Sequence, residues 1–138
     1  MKLLDASLYV EVELDETTST IHLTWLPETA EMTHQDYKNA LSQHCDFVQQ
    51  YQVKYWYGDA RNFAFTIVPE LQEWTANIYN RRLIEYGLQK MALLVPSELF
   101  TLVSIEQTVD EMQAAQNKTG FATRYFDNME DAYRWLHN

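Results

Sequence analysis

The amino-acid sequence predicts an α/β domain with a mixed sheet of about five strands in the order ββαβαβαβα. An N-terminal antiparallel hairpin comes first, and parallel strands with crossover helices follow. Two patterns carry this prediction. Leu8, Val10, Val12 and Leu14 alternate with Tyr9, Glu11 and Glu13, the period of a strand that is wet on one face. Met91-Ala92-Leu93-Leu94-Val95 is instead a continuous apolar run ending at Pro96, as a strand covered on both faces requires.

After the first strand, Asp15 to Thr20 is polar and turn-like, and Ile21, Leu23 and Trp25 resume the alternation until Pro27 closes the second strand. Thr33 is placed to cap a first helix, with Asp36 in its first turn. Tyr37, Leu41, His44, Cys45 and Val48 then form one apolar stripe ending near Tyr51. Val53 to Asp59 reads as an aromatic third strand. Pro69 suits the first turn of a second helix that runs to about Tyr86, and Gly87 is placed to end it in a left-handed conformation.

Met91–Val95 is the fourth strand and the middle of the predicted sheet. Ser104 and Gln107 make a capping pair for a third helix with Ile105, Val109 and Met112 inward, broken at Lys118-Thr119-Gly120. Phe121 to Phe126 forms the fifth strand. Asp127 and Glu130 repeat the capping signature before a terminal helix lined by Met129, Ala132, Tyr133 and Leu136. The 138 residues form one domain, 1–138, with no linker, repeat or low-complexity stretch.

Composition sets several functions aside. The net charge is −10, and the basic residues are scattered from Lys2 to Arg134, so a phosphate polyanion or anionic membrane surface would be repelled. Three glycines leave no Gly-rich loop to cradle a phosphate. No apolar run approaches the ~20 residues of a membrane span, and the start of the chain lacks an apolar leader segment. Cys45 is the single cysteine, which rules out an internal disulfide and suits a reducing compartment. The expectation is a cytoplasmic, acidic protein without nucleic-acid partner or membrane insertion.

No catalytic, cofactor or metal motif is found: the GxSxG elbow, the P-loop, GxGxxG and the zincin histidine pair are all absent. His44 and Cys45 are adjacent on a helix and point about 100° apart, a poor arrangement for a base and its nucleophile. Cys45 reads as core. No enzyme activity and no cofactor are therefore predicted.

Two places remain for a ligand or partner. The carboxyl ends of parallel strands form the natural crevice of an open α/β sheet. Asp59, Arg61 and Asn62 would gather there beside Pro96 and Ser97. They supply an acceptor and a donor for a ligand; alternatively Asp59 caps the following turn and Arg61 is a solvated charge. The second place is Arg82. On the helix from Pro69 to Tyr86, the arc of Leu71, Thr75, Ile78, Tyr79 and Tyr86 puts Arg82 near its centre. Arg82 either reaches a pocket floor or pairs with a carboxylate such as Asp59, or else runs its stem over the core and its head to water. Tyr51, Tyr55, Trp56, Tyr57, Trp74 and Tyr79 fill the core or, in part, form an interface.

The chain resembles the SpoIIAA-like branch of the STAS superfamily, small bacterial domains related to anti-sigma-factor antagonists. The likeness covers nearly the whole chain. It rests on Trp25 closing the second strand, Tyr37 in the first helix, Asp59 ending the third strand, the apolar run before Pro96, and Arg124-Tyr125-Phe126-Asp127 leading to Ala132 and Trp135-Leu136. The resemblance implies a regulatory module that binds a protein partner or itself. Members that switch by phosphorylation carry a serine shortly after the strand-ending aspartate. Here Arg61 stands in its place, with Asn62 next and Thr66 the nearest downstream hydroxyl, so that switch is not implied. The alternative is a small-molecule or lipid-binding domain that uses the same crevice.

Overall fold

A computed structural model describes residues 1–102 and 120–138. Six strands form one mixed sheet in strict sequence order: β1 Lys2–Ala6, β2 Val10–Asp15, β3 Thr20–Trp25, β4 Tyr55–Asp59, β5 Lys90–Leu94 and β6 Ala122–Phe126. The first three strands are antiparallel neighbours, and the β3–β4, β4–β5 and β5–β6 pairs are parallel. The predicted fold class is therefore observed, with one strand more than expected. The extra strand is β1, an edge strand with Leu3 and Leu8 on either side of its end left exposed. Since it buries little, it carries no apolar alternation to read, and the first alternating strand begins at Val10 rather than Leu8.

Alternation of side chains divides the sheet into two faces. Ile21, Leu23, Trp25, Trp56 and Met91 point to one, where they form the main core with the helices α1 (His34–Tyr51), α2 (Pro69–Trp74) and α3 (Asn80–Glu85). Parallel strands that step in one direction with right-handed crossovers place successive helices on one face. The opposite face carries Tyr57, Ala92, Leu94 and Phe126, covered by the terminal helix α4 (Met129–Leu136) through Ala132 and Leu136. β5 is thus faced by apolar groups on both sides, which is why Met91–Leu94 reads without polar alternation.

Helix α1 follows its sequence closely. Thr33 Oγ1 accepts from the Asp36 backbone N–H, and the Asp36 carboxylate accepts from Thr33 N–H, a complete capping box. Tyr37, Leu41, His44, Cys45 and Val48 are all buried, and Gln52 ends the helix at a left-handed φ of 50°. Burial pushes the Cys45 thiol up to about 12, as an inert core cysteine requires.

The second helix is not regular. Between α2 and α3, Thr75–Tyr79 forms a π turn, in which the Asn80 N–H reaches the Thr75 carbonyl. One extra residue in the turn rotates everything after it by roughly 100°. Leu83 consequently takes the fully buried position, Ile78 is left exposed, and Arg82 leaves the centre of the apolar arc. Gly87 ends the helix at φ +87°, as its position implied.

The terminal helix is capped by Asn128, whose Oδ1 accepts from Asp131 N–H, one residue later than the expected Asp127. Met129 is exposed rather than inward. Lys90 Nζ donates to the Trp135 carbonyl at 2.7 Å, placing a cation at the negative end of the helix. Residues 97–102 are helical; the third-helix expectation from Ser104 to Thr119 lies outside the described residues. Among the described residues no helix is long and apolar enough to cross a membrane.

Candidate functional site

Five of the six expected site residues do meet at one end of the sheet. The Ala60 N–H donates to the Leu94 carbonyl at 2.8 Å, holding the ends of β4 and β5 together. Asp59, Arg61 and Asn62 follow one strand, Pro96 and Ser97 the other. Asp59 is committed to its own turn, however. Its carboxylate accepts from the Arg61 backbone N–H at 3.1 Å, from Arg61 Nε at 3.0 Å and from Nη2 at 2.8 Å. Hydrogen bonding to Asp59 raises the pKa of the Arg61 guanidinium. Asp59 caps its turn, and Arg61 pairs with it instead of standing as a solvated charge, while Asn62 and Ser97 are exposed and Pro96 is half-buried.

Arg82 lies elsewhere. Its Nη2 donates to Asp46 Oδ1 of α1 at 2.8 Å, and both Nε and Nη2 reach the Tyr86 hydroxyl. The hydrogen bond with Asp46 raises its pKa further above its ordinary value. Its carboxylate partner is therefore Asp46 and not Asp59, because the π turn swings it toward α1. Asp46 is itself 67% exposed, so the pair is a surface one.

The crevice over the strand ends is occupied by the chain itself. From Ala60 to Val68 the backbone crosses the top of the sheet, fixed by the Ala64 N–H donating to Thr29 Oγ1 at 2.8 Å, which in turn donates to the Leu26 carbonyl at 2.7 Å. Phe63 packs edge-on against Trp25 at 5.0 Å, and Phe65 stacks on Tyr37 at 5.2 Å and 17°. The Phe63-Ala64-Phe65 alternation is the sequence signal for a loop that turns its aromatic side chains inward and leaves Ala64 exposed.

Beneath that loop lies a cavity of about 400 Å³ between the main-core face of the sheet and the helices. Trp25, Tyr37, Trp56, Phe63, Tyr79 and Tyr125 supply most of its aromatic wall, with Leu93 and Val95 from the end of β5. None of the described side chains lining it is an Asp, Glu, Lys, Arg or His. This size and lining belong to the range of small-molecule sites, ~300–1,000 Å³ and mostly apolar. The cavity lies directly under Ala60, one residue past Asp59, but none of Asp59, Arg61, Asn62, Arg82, Pro96 and Ser97 lines it.

The polar groups of the wall come mainly from α1 and the π turn. The Tyr37 hydroxyl and Thr75 Oγ1 are 2.7 Å apart, and Thr75 Oγ1 also reaches the Leu71 carbonyl at 2.7 Å. The Tyr79 hydroxyl and Trp56 Nε1 are buried beside each other without a well-formed hydrogen bond. Burial pushes Tyr79 well above its ordinary pKa, and neighbouring Cys45 adds to this, so the hydroxyl stays protonated. Gly58 makes room for Trp56: a methyl there would overlap the six-membered part of the indole.

A second polar cluster sits on the opposite face. His22 Nε2 and the Tyr133 hydroxyl are hydrogen-bonded, and that hydroxyl also donates to Asp15 Oδ2 at 3.1 Å. His137 Nε2 meets Thr20 Oγ1 at 2.7 Å. Burial lowers the His22 pKa to about 4, so the ring is neutral near pH 7. These groups tie α4 to the sheet and are absorbed by that role.

No family model, curated protein or solved structure matches this chain. Fold and site together define a mixed α/β domain with an aromatic cavity under its strand ends, uncharged among the described residues.

Proposed function

We propose that this chain is a non-catalytic binding domain that takes up a small apolar molecule in the cavity between sheet and helices. The observation that carries the reading is the half-open cavity of about 400 Å³ whose described lining is mostly aromatic and aliphatic and holds no charged side chain. A charged guest would lose part of its hydration there and find no counter-ion among the described side chains, whereas an apolar one gains by leaving water. Native mass spectrometry of freshly purified protein should show a co-purified mass, and N-phenyl-1-naphthylamine should bind saturably with enhanced fluorescence. Leu93→Trp, which fills the void from β5, should abolish both while leaving the far-UV spectrum intact. Saturable binding that survives Leu93→Trp, or no binding at all, would overturn the reading.

The regulatory, partner-binding role implied by the STAS resemblance is the second reading. It is supported by the antiparallel ribbon ahead of the parallel strands and by the exposed edge β1, where Leu3 is 62% and Leu8 59% exposed. Self-association through this edge predicts a concentration-dependent dimer by sedimentation that Leu3→Lys removes. A monomer at every concentration would count against it.

A further inference from the structure

We infer that Asn80 is the specificity-determining residue of the cavity, selecting a neutral ring system that carries a carboxamide or lactam group. This rests on reading the cavity as a ligand site. In a regular helix Thr75 and Tyr79 share a face, while residue 80 lies about 100° further round. Here the turn is widened, with Asn80 N–H bonded to the Thr75 carbonyl, and Thr75, Tyr79 and Asn80 all line the cavity. Inserted π turns recur where a side chain must be brought into a functional site.

Asn80 is also a half-buried polar group of the wall whose capacity is unspent. The Tyr37 and Thr75 hydroxyls bond to each other, and Thr75 also donates to the Leu71 carbonyl; Trp56 Nε1 and the Tyr79 hydroxyl are fully buried and unpartnered, whereas the Asn80 amide keeps access to the cavity. Thr123 is exposed on β6. The Asn80 amide has no hydrogen bond to any described group, although its NH₂ offers two donors and its carbonyl two acceptor sites. A carboxamide or lactam edge presents the complementary donor and acceptor side by side, so it forms two hydrogen bonds with one planar partner. Around that pair the described wall is aromatic and uncharged, which favours a flat, neutral body over a carboxylate of the same outline.

The test compares three probes of nearly equal shape, naphthalene, 2-naphthamide and 2-naphthoate, by displacement of N-phenyl-1-naphthylamine. Expected is 2-naphthamide at least ten-fold tighter than naphthalene, and 2-naphthoate at least ten-fold weaker than 2-naphthamide. Asn80→Leu should bring 2-naphthamide to the affinity that naphthalene has for the same variant; Asn80→Ser serves the same comparison should the leucine variant fail to fold. If naphthalene and the fluorescent probe do not bind at all, the cavity reading fails and this inference with it. If they bind but the amide has no advantage, or keeps its advantage without Asn80, the role of Asn80 alone is overturned.

Discussion

The Tyr37 hydroxyl meets the Thr75 hydroxyl at 2.7 Å, joining the first turns of α1 to the start of the π turn. Thr75 reaches back to the Leu71 carbonyl at the same time, so one side chain serves both the helix and its neighbour. Tyr37→Phe deletes the bridge and leaves Thr75 its backbone partner. A loss of about 0.5–1.5 kcal/mol in urea unfolding is expected, the net worth of one such bond. An unchanged midpoint would show that the contact does not hold the two helices together.

His44 is fully buried, and neither ring nitrogen has a hydrogen-bond partner. Burial lowers its pKa from 6.5 to about 3. Above pH 6.5 the ring is neutral whether folded or not, so it adds no pH dependence. Below that value the unfolded chain takes up a proton that the folded one refuses until about pH 3, and stability falls with pH across this window. His22, lowered to about 4, acts in the same direction. His44→Leu removes the larger contribution. Its gain over the unaltered chain should grow by about 2–3 kcal/mol between pH 7 and pH 4.5. Parallel stability curves for the two proteins would refute the assignment.

Gly58 was legible only as part of a strand ending at Asp59, yet a methyl there would overlap the Trp56 ring. Gly58→Ala forces that ring off its position in the cavity wall. Overpacking of this kind costs about 1–3 kcal/mol. The variant should therefore unfold at lower urea, shift its tryptophan emission and bind N-phenyl-1-naphthylamine more weakly. Wild-type emission with wild-type binding would mean that Trp56 has space the structure denies it.

What the sequence disclosed tracks what burial imposes. The α1 stripe was readable because each of its residues is inside, and its capping box is local chemistry. The run Met91–Leu94 was readable because both faces of β5 are covered. β1 escaped because an edge strand with exposed leucines has no pattern to impose. The π turn escaped for a different reason: an i→i+5 bond leaves no signature in residue type, so counting at 100° per residue was one residue out beyond Tyr79. A regular count beyond that point places Arg82 inside, where the structure has Leu83. The strand-end crevice was placed at the correct end of the sheet, but the aromatic pair Phe63 and Phe65 closes it, and the void lies one layer below.

Arg82 consequently has a modest part. Its bond to Asp46 is made at the surface, where such pairs contribute about 0–1 kcal/mol. Arg82→Met discards the charge and with it the guanidinium that lies over the Tyr86 ring. Stability within about 1 kcal/mol of the original and unchanged probe binding are expected. A large loss of binding would return Arg82 to the ligand site.

Tyr133 carries more, because one hydroxyl links two elements of the sheet to α4. It donates to Asp15 on β2 and is bonded to His22 on β3. Burial raises the Asp15 pKa, but hydrogen bonds from Thr18 and Tyr133 outweigh it and hold the carboxyl below its ordinary value. Burial, with the nearby Asp15 charge, raises the Tyr133 hydroxyl, so it remains a donor throughout the stable range. Tyr133→Phe keeps the ring against Tyr57 and His137 but leaves His22 Nε2 unpaired. The stranded group costs about 1–3 kcal/mol. Since the loss falls on the docking of α4, amide exchange should accelerate in residues 129–136 before the rest of the sheet opens. Uniform acceleration across all six strands would instead make Tyr133 part of the global core and not the fastening of the terminal helix.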